Sequence, residues 1–409
     1  MRAGQSRIAR LGAAPARALL VLACCAACTS AHAHRPTPLR RYRPFAIAPT
    51  PCRRRACGLV ARAGEPPAGE PGRAVPRARS APRRFASALG RASTELLPVW
   101  ILVAALLALK WPWLFAWFGG GYYTAGLGAM MLSTALTLRA ADFADVWRDG
   151  KRAIAAGAAM HVLLKPPLAL GLARALGLSP PALAGLVLLA AAPGAQSTSV
   201  AVLLARGNVA LSVCIVTLLN LSAFATTPLF TKALGGGATV CVSAAAMSRT
   251  TVQVVLAPIV VGLLVNALFP AVRKRAATVG PRVGSVLATL FAGSGTSLIA
   301  PAFATVTPAL LVAVGAFHAG GSLLGWLFGR LARLKPDDTR VLAILGGMQS
   351  SSLAFLLATR HLPDMMGSVP AAISVSTMLL WGMTLAAAMT QNDRRAAGGE
   401  RHQPAAPVV

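Results

Sequence analysis

The chain is short of acidic residues and of charge altogether. Only 12 % of its 409 residues are charged, and 11 are Asp or Glu against 40 Lys and Arg; soluble proteins carry about twice that charged fraction. With 56 % hydrophobic residues and a mean hydropathy of +0.63, a soluble globular domain is excluded. The net charge of +29 is not spread as a binding face would be, which argues against a nucleic-acid partner. We therefore interpret the chain as a polytopic protein of the lipid bilayer.

The first 93 residues contain no lysine and two acidic residues against 18 arginines. They are rich in Ala and Pro without a sustained period, which is typical of an organelle transit peptide and cannot build a core. A short apolar run at 18–29 followed by Ala-His-Ala at 31–33 also fits a signal peptide, so a signal followed by a transit segment stays open. We predict a targeting leader at 1–93, a transporter domain at 94–390 and a polar tail at 391–409. The predicted location is a plastid envelope membrane, with another organelle or a secretory membrane as the alternative.

The groups that catalysis requires are also scarce in the apolar part of the chain. An intramembrane enzyme would need a nucleophile with its base, paired carboxylates or a metal cluster. Five of the seven cysteines fall in the first 93 residues, where the Cys25-x-x-Cys28 pair has no partner ligands. We therefore predict that the chain is not an enzyme and has no resident cofactor.

Ten apolar stretches of spanning length follow the leader. Each is close to the roughly 20 residues that cross a hydrocarbon core. None contains Asp or Glu. The connections that share one side of the membrane with both termini hold 16 Lys and Arg, against four in the opposite connections. This positive-inside bias predicts ten spans with both termini on the stromal side. The predicted spans are 96–116, 120–138, 153–177, 181–204, 209–231, 250–269, 285–303, 307–331, 341–360 and 368–390.

A polar interruption occurs twice, in the fourth and the ninth span. Residues 193–205 read PGAQSTSVAVLLA and residues 347–358 read GMQSSSLAFLLA. A shift of 153 residues aligns Gly with Gly, Gln with Gln and hydroxyl with hydroxyl. The copies lie five spans apart, and an odd offset reverses their orientation, which indicates an inverted five-plus-five repeat.

The interruptions predict broken helices in the middle of the membrane. Gly and Pro free backbone groups that cannot stay bare in lipid, so each break must line protein or a wet cavity. The alternative is that the small residues and hydroxyls only pack helices closely. Two matched interruptions in corresponding spans favour a binding site.

These motifs resemble the bile acid:sodium symporter family. The resemblance rests on residues 192–213 and on Gly347-Met348-Gln349, and it extends over roughly residues 96–390. It implies a panel domain and a core domain, with spans four and nine crossing where both unwind. Plant and algal members carry a plastid leader and move small carboxylates such as 2-oxo acids. Further residues that fit the family are Leu136-Thr137-Leu138, Asp142-Phe143, Pro166 and His318.

Four positions depart from the family pattern. The family carries Glu at the position of Leu345 and Asn at that of Ser199. It carries Thr at the position of Val216 and Gln at that of His161. Sodium is a hard cation that prefers several oxygen ligands, so the resemblance implies a co-transported sodium ion whose site has here lost its carboxylate.

Span three contains two cationic side chains on one helix face, His161 and Lys165. Lys165 lies about 18 Å of helix from either end of the span, where a lysine costs about 2.5–3.5 kcal/mol. Pro166 and Pro167 free carbonyls one turn back that could accept its hydrogen bonds. One interpretation lets Lys165 reach an interface. The other places it at a central cavity, holding an anion or standing in for sodium, with His161 available for proton coupling.

The sequence thus predicts an all-α secondary transporter of a small organic anion, of the monocarboxylate or 2-oxo-acid type, that works by alternating access. Sodium coupling stays open, and the alternative is a passive uniporter or a proton-coupled family member with degenerate sodium sites. The predicted substrate site comprises Lys165, His161, Pro193, Gly194, Gln196, Ser197, Gly347, Ser350 and Ser351. The predicted ion site comprises Thr198, Ser199, Ser212 and Gln349.

Overall fold

The computed structural model describes residues 96–138, 146–148, 150–235, 243–301 and 306–399, and its regular secondary structure in these ranges is helical throughout. The predicted leader, the Asp142-Phe143 pair and the end of the predicted tail lie outside them. Within the described ranges, six helical regions are long and apolar enough to cross a membrane, which confirms an all-α membrane protein. They are Lys151–Ala175, Val209–Leu234, Ala244–Leu268, Pro308–Leu331, Pro336–His361 and Met365–Asp393.

The first half of the described chain begins with short apolar helices. Helix α1, Leu97–Lys110, ends just before Pro112, whose ring disfavours a helical conformation of the preceding residue. The Asn208 side chain caps the longest helix of this half by accepting a hydrogen bond from the backbone N–H of Leu211 at 3.1 Å. The helices are α1 Leu97–Lys110, α2 Trp113–Ala116, α3 Gly120–Ala135, α4 Lys151–Ala175, α5 Pro180–Ala191, α6 Thr198–Leu204 and α7 Val209–Leu234.

The second half repeats the pattern of long helices around one interrupted pair. The side chains of Ser243 and Thr307 cap two of these helices. Each accepts one hydrogen bond from the backbone N–H three residues later, at 3.3 and 3.4 Å respectively. A 3-10 turn at Met365–Gly367 precedes the last helix. The helices are α8 Ala244–Leu268, α9 Pro270–Ile299, α10 Pro308–Leu331, α11 Pro336–Gly347, α12 Ser351–His361 and α13 Val369–Gly399.

Two predicted boundaries are wrong. Helix α9 begins at Pro270 rather than at 285, and α13 runs to Gly399, past the predicted end at 390. Residues 270–284 contain three Ala and four Arg or Lys, which favour a helix, and Pro270 is tolerated in its first turn, although Pro281 lies inside the helix. Hydropathy marks only the apolar part of such a helix, so the cationic turns were assigned to a connection.

Helix α4 contains a π-helical turn at Met160–Leu164. Pro166 and Pro167 follow directly and lack the N–H groups that would bond to the carbonyls four residues earlier. The hydrogen-bond register shifts by one residue there, as π-turns commonly do at functional positions. Both His161 and Lys165 are positioned by this turn.

The two interrupted helix pairs form the centre of the described structure. Helix α5 is buried on all sides from Ala184 to Ala191, and α11 is buried from Val341 to Gly347. Over these residues both helices are apolar around their whole circumference, as expected for helices surrounded by other helices. The breaks are therefore held inside protein rather than against lipid.

Close packing against α10 fixes the position of the second interruption. A methyl group at Gly321 would collide with the carbonyl of Gly346, and one at Gly325 would collide with the carbonyl of Leu342. Glycines four residues apart let two helices approach backbone to backbone, as in small-xxx-small pairs of membrane helices. This contact places His318, one turn earlier on α10, beside the end of α11.

Candidate functional site

The two helix breaks meet. Helix α5 ends at Ala191 and α6 begins at Thr198, whereas α11 ends at Gly347 and α12 begins at Ser351. The backbone N–H of Ser350 donates a 2.7 Å hydrogen bond to the carbonyl of Pro193. The matched motifs of the sequence therefore lie against each other.

Four consecutive carbonyls that the first break frees, at residues 191–194, all receive a donor. They are bonded in order by the Thr227 hydroxyl at 2.8 Å, His161 Nε2 at 2.8 Å, the Ser350 N–H at 2.7 Å and the Asn220 amide at 3.3 Å. Buried carbonyls in a membrane protein require such partners. The break is thus stabilised by hydrogen bonds to all four of these carbonyls.

His161 serves this break. A carbonyl can only accept, so His161 Nε2 carries the proton and Nδ1 is left as an acceptor. Nδ1 is buried without a hydrogen-bond partner. Beside it lies a cavity of about 10 Å³, shared with Pro193 and Thr226, which is about the space of one water molecule.

Lys165 is completely buried, with an exposed fraction of 0 %, so the interpretation that it reaches an interface is wrong. Its ammonium donates a 3.1 Å hydrogen bond to Gln349 Oε1 on the second break, not to the carbonyls freed by Pro166 and Pro167. It also lies 5.4 Å from the centre of the Phe317 ring, within cation–π range. The positive charge of span three is therefore held directly behind the second break.

The second break carries a dense polar cluster. The Gln349 amide nitrogen is 3.3 Å from Ser374 Oγ, which in turn is 2.7 Å from Ser351 Oγ and 3.2 Å from His318 Nε2. His318 Nδ1 donates to the carbonyl of Gly347 at 2.9 Å. This single cluster links helices α4, α10, α12 and α13.

A cavity of about 50 Å³ lies next to the breaks, with room for a few water molecules. Of the predicted substrate residues, Gln196, Ser197, Ser350 and Ser351 line it, and Gln349, predicted for the ion site, lines it too. The other predicted substrate residues, Lys165, His161, Pro193, Gly194 and Gly347, do not. Apart from Ser352 on α12, the rest of its wall is apolar and comes from Ala195 in the first break and from α1, α3, α9 and α13.

The predicted ion site is divided in two by the structure. Ser199 Oγ and Ser212 Oγ are 3.4 Å apart, and the neighbouring Thr198 hydroxyl is buried without a hydrogen-bond partner. Gln349 belongs instead to the cluster around Lys165. The predicted ligands thus form two separate sets. The first set is the hydroxyls of Thr198, Ser199 and Ser212, and the second is Gln349 Oε1, which already accepts a hydrogen bond from the Lys165 ammonium.

Two of the departures from the family pattern lie together. A methyl group on Gly194 would touch the side chains of Leu345 and Val216, and both of these side chains are buried. The positions where the family carries Glu and Thr therefore form a hydrocarbon cluster against the first break. That cluster offers no ligand to a hard cation.

Several site residues were not identified from the sequence, namely Ser374, Asn220 and Thr227. Each is a polar residue inside an apolar stretch, which is the signal that could have identified them. Their partners on other helices and at the breaks lie between 23 and 56 residues away along the chain. That distance hides the pairing from any local pattern.

Comparison with known proteins agrees with the geometry. Residues 124–300 match the family model described as the Sodium Bile acid symporter family. The chain is 36 % identical over 293 residues to "Probable sodium/metabolite cotransporter BASS2, chloroplastic" from Oryza sativa subsp. japonica, covering 72 % of this chain and 70 % of the relative.

Two further relatives extend the comparison. "Probable sodium/metabolite cotransporter BASS3, chloroplastic" from Arabidopsis thaliana is 34 % identical, over 72 % of this chain and 68 % of its own length. "Uncharacterized sodium-dependent transporter YocS" from Bacillus subtilis (strain 168) is 31 % identical, over 74 % of this chain and 93 % of its own length.

The comparisons confirm three expectations at once: a membrane transporter, not an enzyme, with chloroplast relatives that support the plastid location. The resemblance seen in the sequence motifs is confirmed as well, because identity extends over 293 residues and the family model matches 124–300. The chain belongs to the Sodium Bile acid symporter family.

Proposed function

We propose that the chain is a secondary transporter of a small organic anion, of the monocarboxylate or 2-oxo-acid type, in a plastid envelope membrane. The observation that carries the proposal is the meeting of the two breaks, Ser350 N–H to Pro193 carbonyl at 2.7 Å, with a buried ammonium behind them. Backbone ends and amides at the break can hold a carboxylate, while the ammonium supplies the opposite charge.

Ten spans in an inverted five-plus-five arrangement are part of the proposal. The match of Gly194 to Gly347 and of Gln196 to Gln349, and the facing breaks, support it. Substrate access then alternates as the core containing the breaks rocks against α1, α3 and α9, which contribute to the apolar wall of the cavity. A protease-protection test of a C-terminal tag in intact plastids checks the topology, since digestion from the intermembrane side would contradict ten spans with a stromal C-terminus.

A fixed positive charge is the proposed replacement for one sodium ion. Sodium beside an anionic substrate contributes one positive charge, and the Lys165 ammonium contributes the same charge as part of the chain. The hydrocarbon cluster of Gly194, Val216 and Leu345 supports a weak dependence on sodium, because it lacks the family's carboxylate.

Uptake into proteoliposomes tests the proposal. The purified full chain is reconstituted, and uptake of radiolabelled pyruvate is measured with a sodium gradient, with a potassium gradient and with a pH gradient. We expect saturable uptake that changes little when sodium is replaced by potassium. Absence of uptake for pyruvate and for longer 2-oxo acids would remove the anion-transport proposal.

A second candidate function, sodium-coupled symport, is favoured by one observation. The Thr198 hydroxyl is buried without a hydrogen-bond partner, and the hydroxyl of the next residue, Ser199, lies 3.4 Å from that of Ser212. These three hydroxyls are the three-oxygen group that would bind sodium in this candidate. The relatives are named as sodium/metabolite cotransporters. Steep sodium dependence in the same assay, lost in Thr198→Val, would decide for this candidate.

A further inference from the structure

A buried polar relay extends from the second break to helix α10. Lys165, Gln349, Ser374 and His318 are each exposed by 1 % or less. The contacts run from Lys165 Nζ to Gln349 Oε1 at 3.1 Å, from Gln349 Nε2 to Ser374 Oγ at 3.3 Å and from Ser374 Oγ to His318 Nε2 at 3.2 Å. Only one of the four, Gln349, lines the cavity.

The carbonyl at the end of α11 fixes the direction of this relay. The Gly347 carbonyl can only accept, so His318 Nδ1 carries a proton, and Nε2 of the neutral ring is an acceptor. The Thr377 hydroxyl lies 3.4 Å from Nε2 but donates to the carbonyl of Ile373 at 3.0 Å. Ser374 Oγ is nearer to Nε2, at 3.2 Å, and its other contacts are the Gln349 amide and the Ser351 hydroxyl rather than a carbonyl, so we assign the donated proton to Ser374.

The rest of the relay follows from the proton of Ser374. Because that proton is used on His318, Ser374 Oγ acts as an acceptor toward Gln349 Nε2 and toward Ser351 Oγ. The Gln349 amide must then present Nε2 to Ser374 and Oε1 to the Lys165 ammonium, which can only donate. The opposite amide orientation would place the NH₂ group against the ammonium, which is two donors, and Oε1 against Ser374 Oγ, which is two acceptors.

We propose that Ser374 and His318 are positioning residues that set the orientation of Gln349 and thereby the placement of the Lys165 charge behind the cavity. The proposal deepens the function above and rests on it, because the cavity is taken to receive an organic anion. Neither residue touches that cavity. Both act through Gln349, whose side chain accepts from the ammonium and which is also one of the residues that line the cavity.

Pyruvate uptake by the reconstituted full chain tests the relay. Ser374→Ala is expected to raise the half-saturation concentration about fivefold with the maximal rate nearly unchanged, the loss of about one net hydrogen bond. Thr377→Val is the matched control, since its hydroxyl approaches the same nitrogen but donates elsewhere, and it should change uptake by less than about twofold. Equal effects of the two variants would overturn the proposal.

A double-mutant cycle separates positioning from a general structural role. If Ser374 acts through Gln349, then Ser374→Ala in a Gln349→Ala background should shift the half-saturation concentration by less than about twofold. Multiplicative effects of the two substitutions would contradict the relay. His318→Leu should behave like Ser374→Ala in the same cycle.

A stability cycle decides the matter independently of transport. In melting curves of the purified chain, the shifts of Ser374→Ala and Gln349→Ala should be non-additive by about 2 °C. Additive shifts would overturn the relay even if pyruvate is transported. Conversely, a chain that shows the coupling but takes up no 2-oxo acid would retain the relay and lose the proposed function.

Discussion

The two helix breaks are nearly identical in sequence pattern and opposite in bonding. At the second break, Gln349 and Ser351 have partners for their polar side-chain atoms, and the cluster ends on a buried ammonium. At the first break, Gln196 Oε1 and the Thr198 hydroxyl are buried without hydrogen-bond partners. The Gln349 and Ser351 side chains of the second break are therefore hydrogen-bonded, whereas the first break keeps two side-chain acceptors without partners.

This difference shows where a positive charge already lies and where a further cation has oxygen ligands available. Unpaired buried acceptors are costly, and in native structures they mark the place of an ordered water, an ion or a functional group. The second break contacts the Lys165 ammonium, whereas the first break retains the hydroxyls of Thr198 and Ser199, with Ser212 beside Ser199. Two breaks of matched sequence thus differ in chemistry, since one of them contacts a buried lysine.

Removing the buried ammonium should produce the largest effect. Lys165→Met keeps the shape of the side chain and deletes its charge, so anion uptake should fall at least about tenfold, equivalent to about 1.4 kcal/mol. Lys165→Arg should retain part of the activity because the charge persists in a different shape. Uptake of radiolabelled pyruvate into proteoliposomes measures both.

The melting temperature of Lys165→Met distinguishes a loss of transport from a loss of folding. A buried charge is expensive, so Lys165→Met should melt no lower than the wild type, and loss of uptake would then not reflect unfolding. Lys110→Met is the matched control, since Lys110 also lies over an aromatic ring, Trp111, but is exposed. An active Lys165→Met protein would show that the ammonium is not required for anion transport.

The matched glutamines should respond unequally. Gln349→Leu leaves the Lys165 ammonium buried without its hydrogen bond, which should lower the free energy of unfolding by about 2 kcal/mol. Gln196→Leu removes an amide whose contact is Met131 Sδ at 2.9 Å and whose oxygen is unpaired, so it should cost less than about 1 kcal/mol.

Thermal melting of the two variants in the same detergent compares them. Since both substitutions replace the same side chain by the same apolar one, a difference in melting temperature reports the surroundings of each break. Equal shifts for Gln349→Leu and Gln196→Leu would mean that the asymmetry in bonding has no energetic consequence.

The position of both breaks was predictable from the sequence, and their asymmetry was not. Pro193, Gly194 and Gly347 interrupt apolar runs, and the lack of hydrogen-bond donors in lipid makes such interruptions informative. That Lys165 bonds to Gln349, 184 residues away, depends on how α4 packs against the second break. No local pattern encodes that contact.

The start of α9 and the hydrogen-bond partners of the breaks could not be predicted from the sequence for a related reason. Helix α9 extends fifteen residues before the predicted start of its span because charged turns beyond the apolar core do not register in hydropathy. Ser374 and Asn220 were overlooked because a single hydroxyl or amide in an apolar helix is common. Their importance comes from the breaks they face, which only the folded chain brings near.

The smallest expected effect concerns the free acceptor at the first break. In potassium chloride, Thr198→Val should leave the melting temperature unchanged or slightly higher, because it deletes a buried hydroxyl that has no partner.

If the three-oxygen group binds sodium, the wild type should melt higher in sodium chloride than in potassium chloride at equal ionic strength. Thr198→Val should remove that difference, whereas Ser197→Ala, on the same break but facing the cavity, should retain it. A sodium-dependent shift that persists in Thr198→Val would place the ion away from the first break, and the asymmetry between the breaks would then concern only the ammonium.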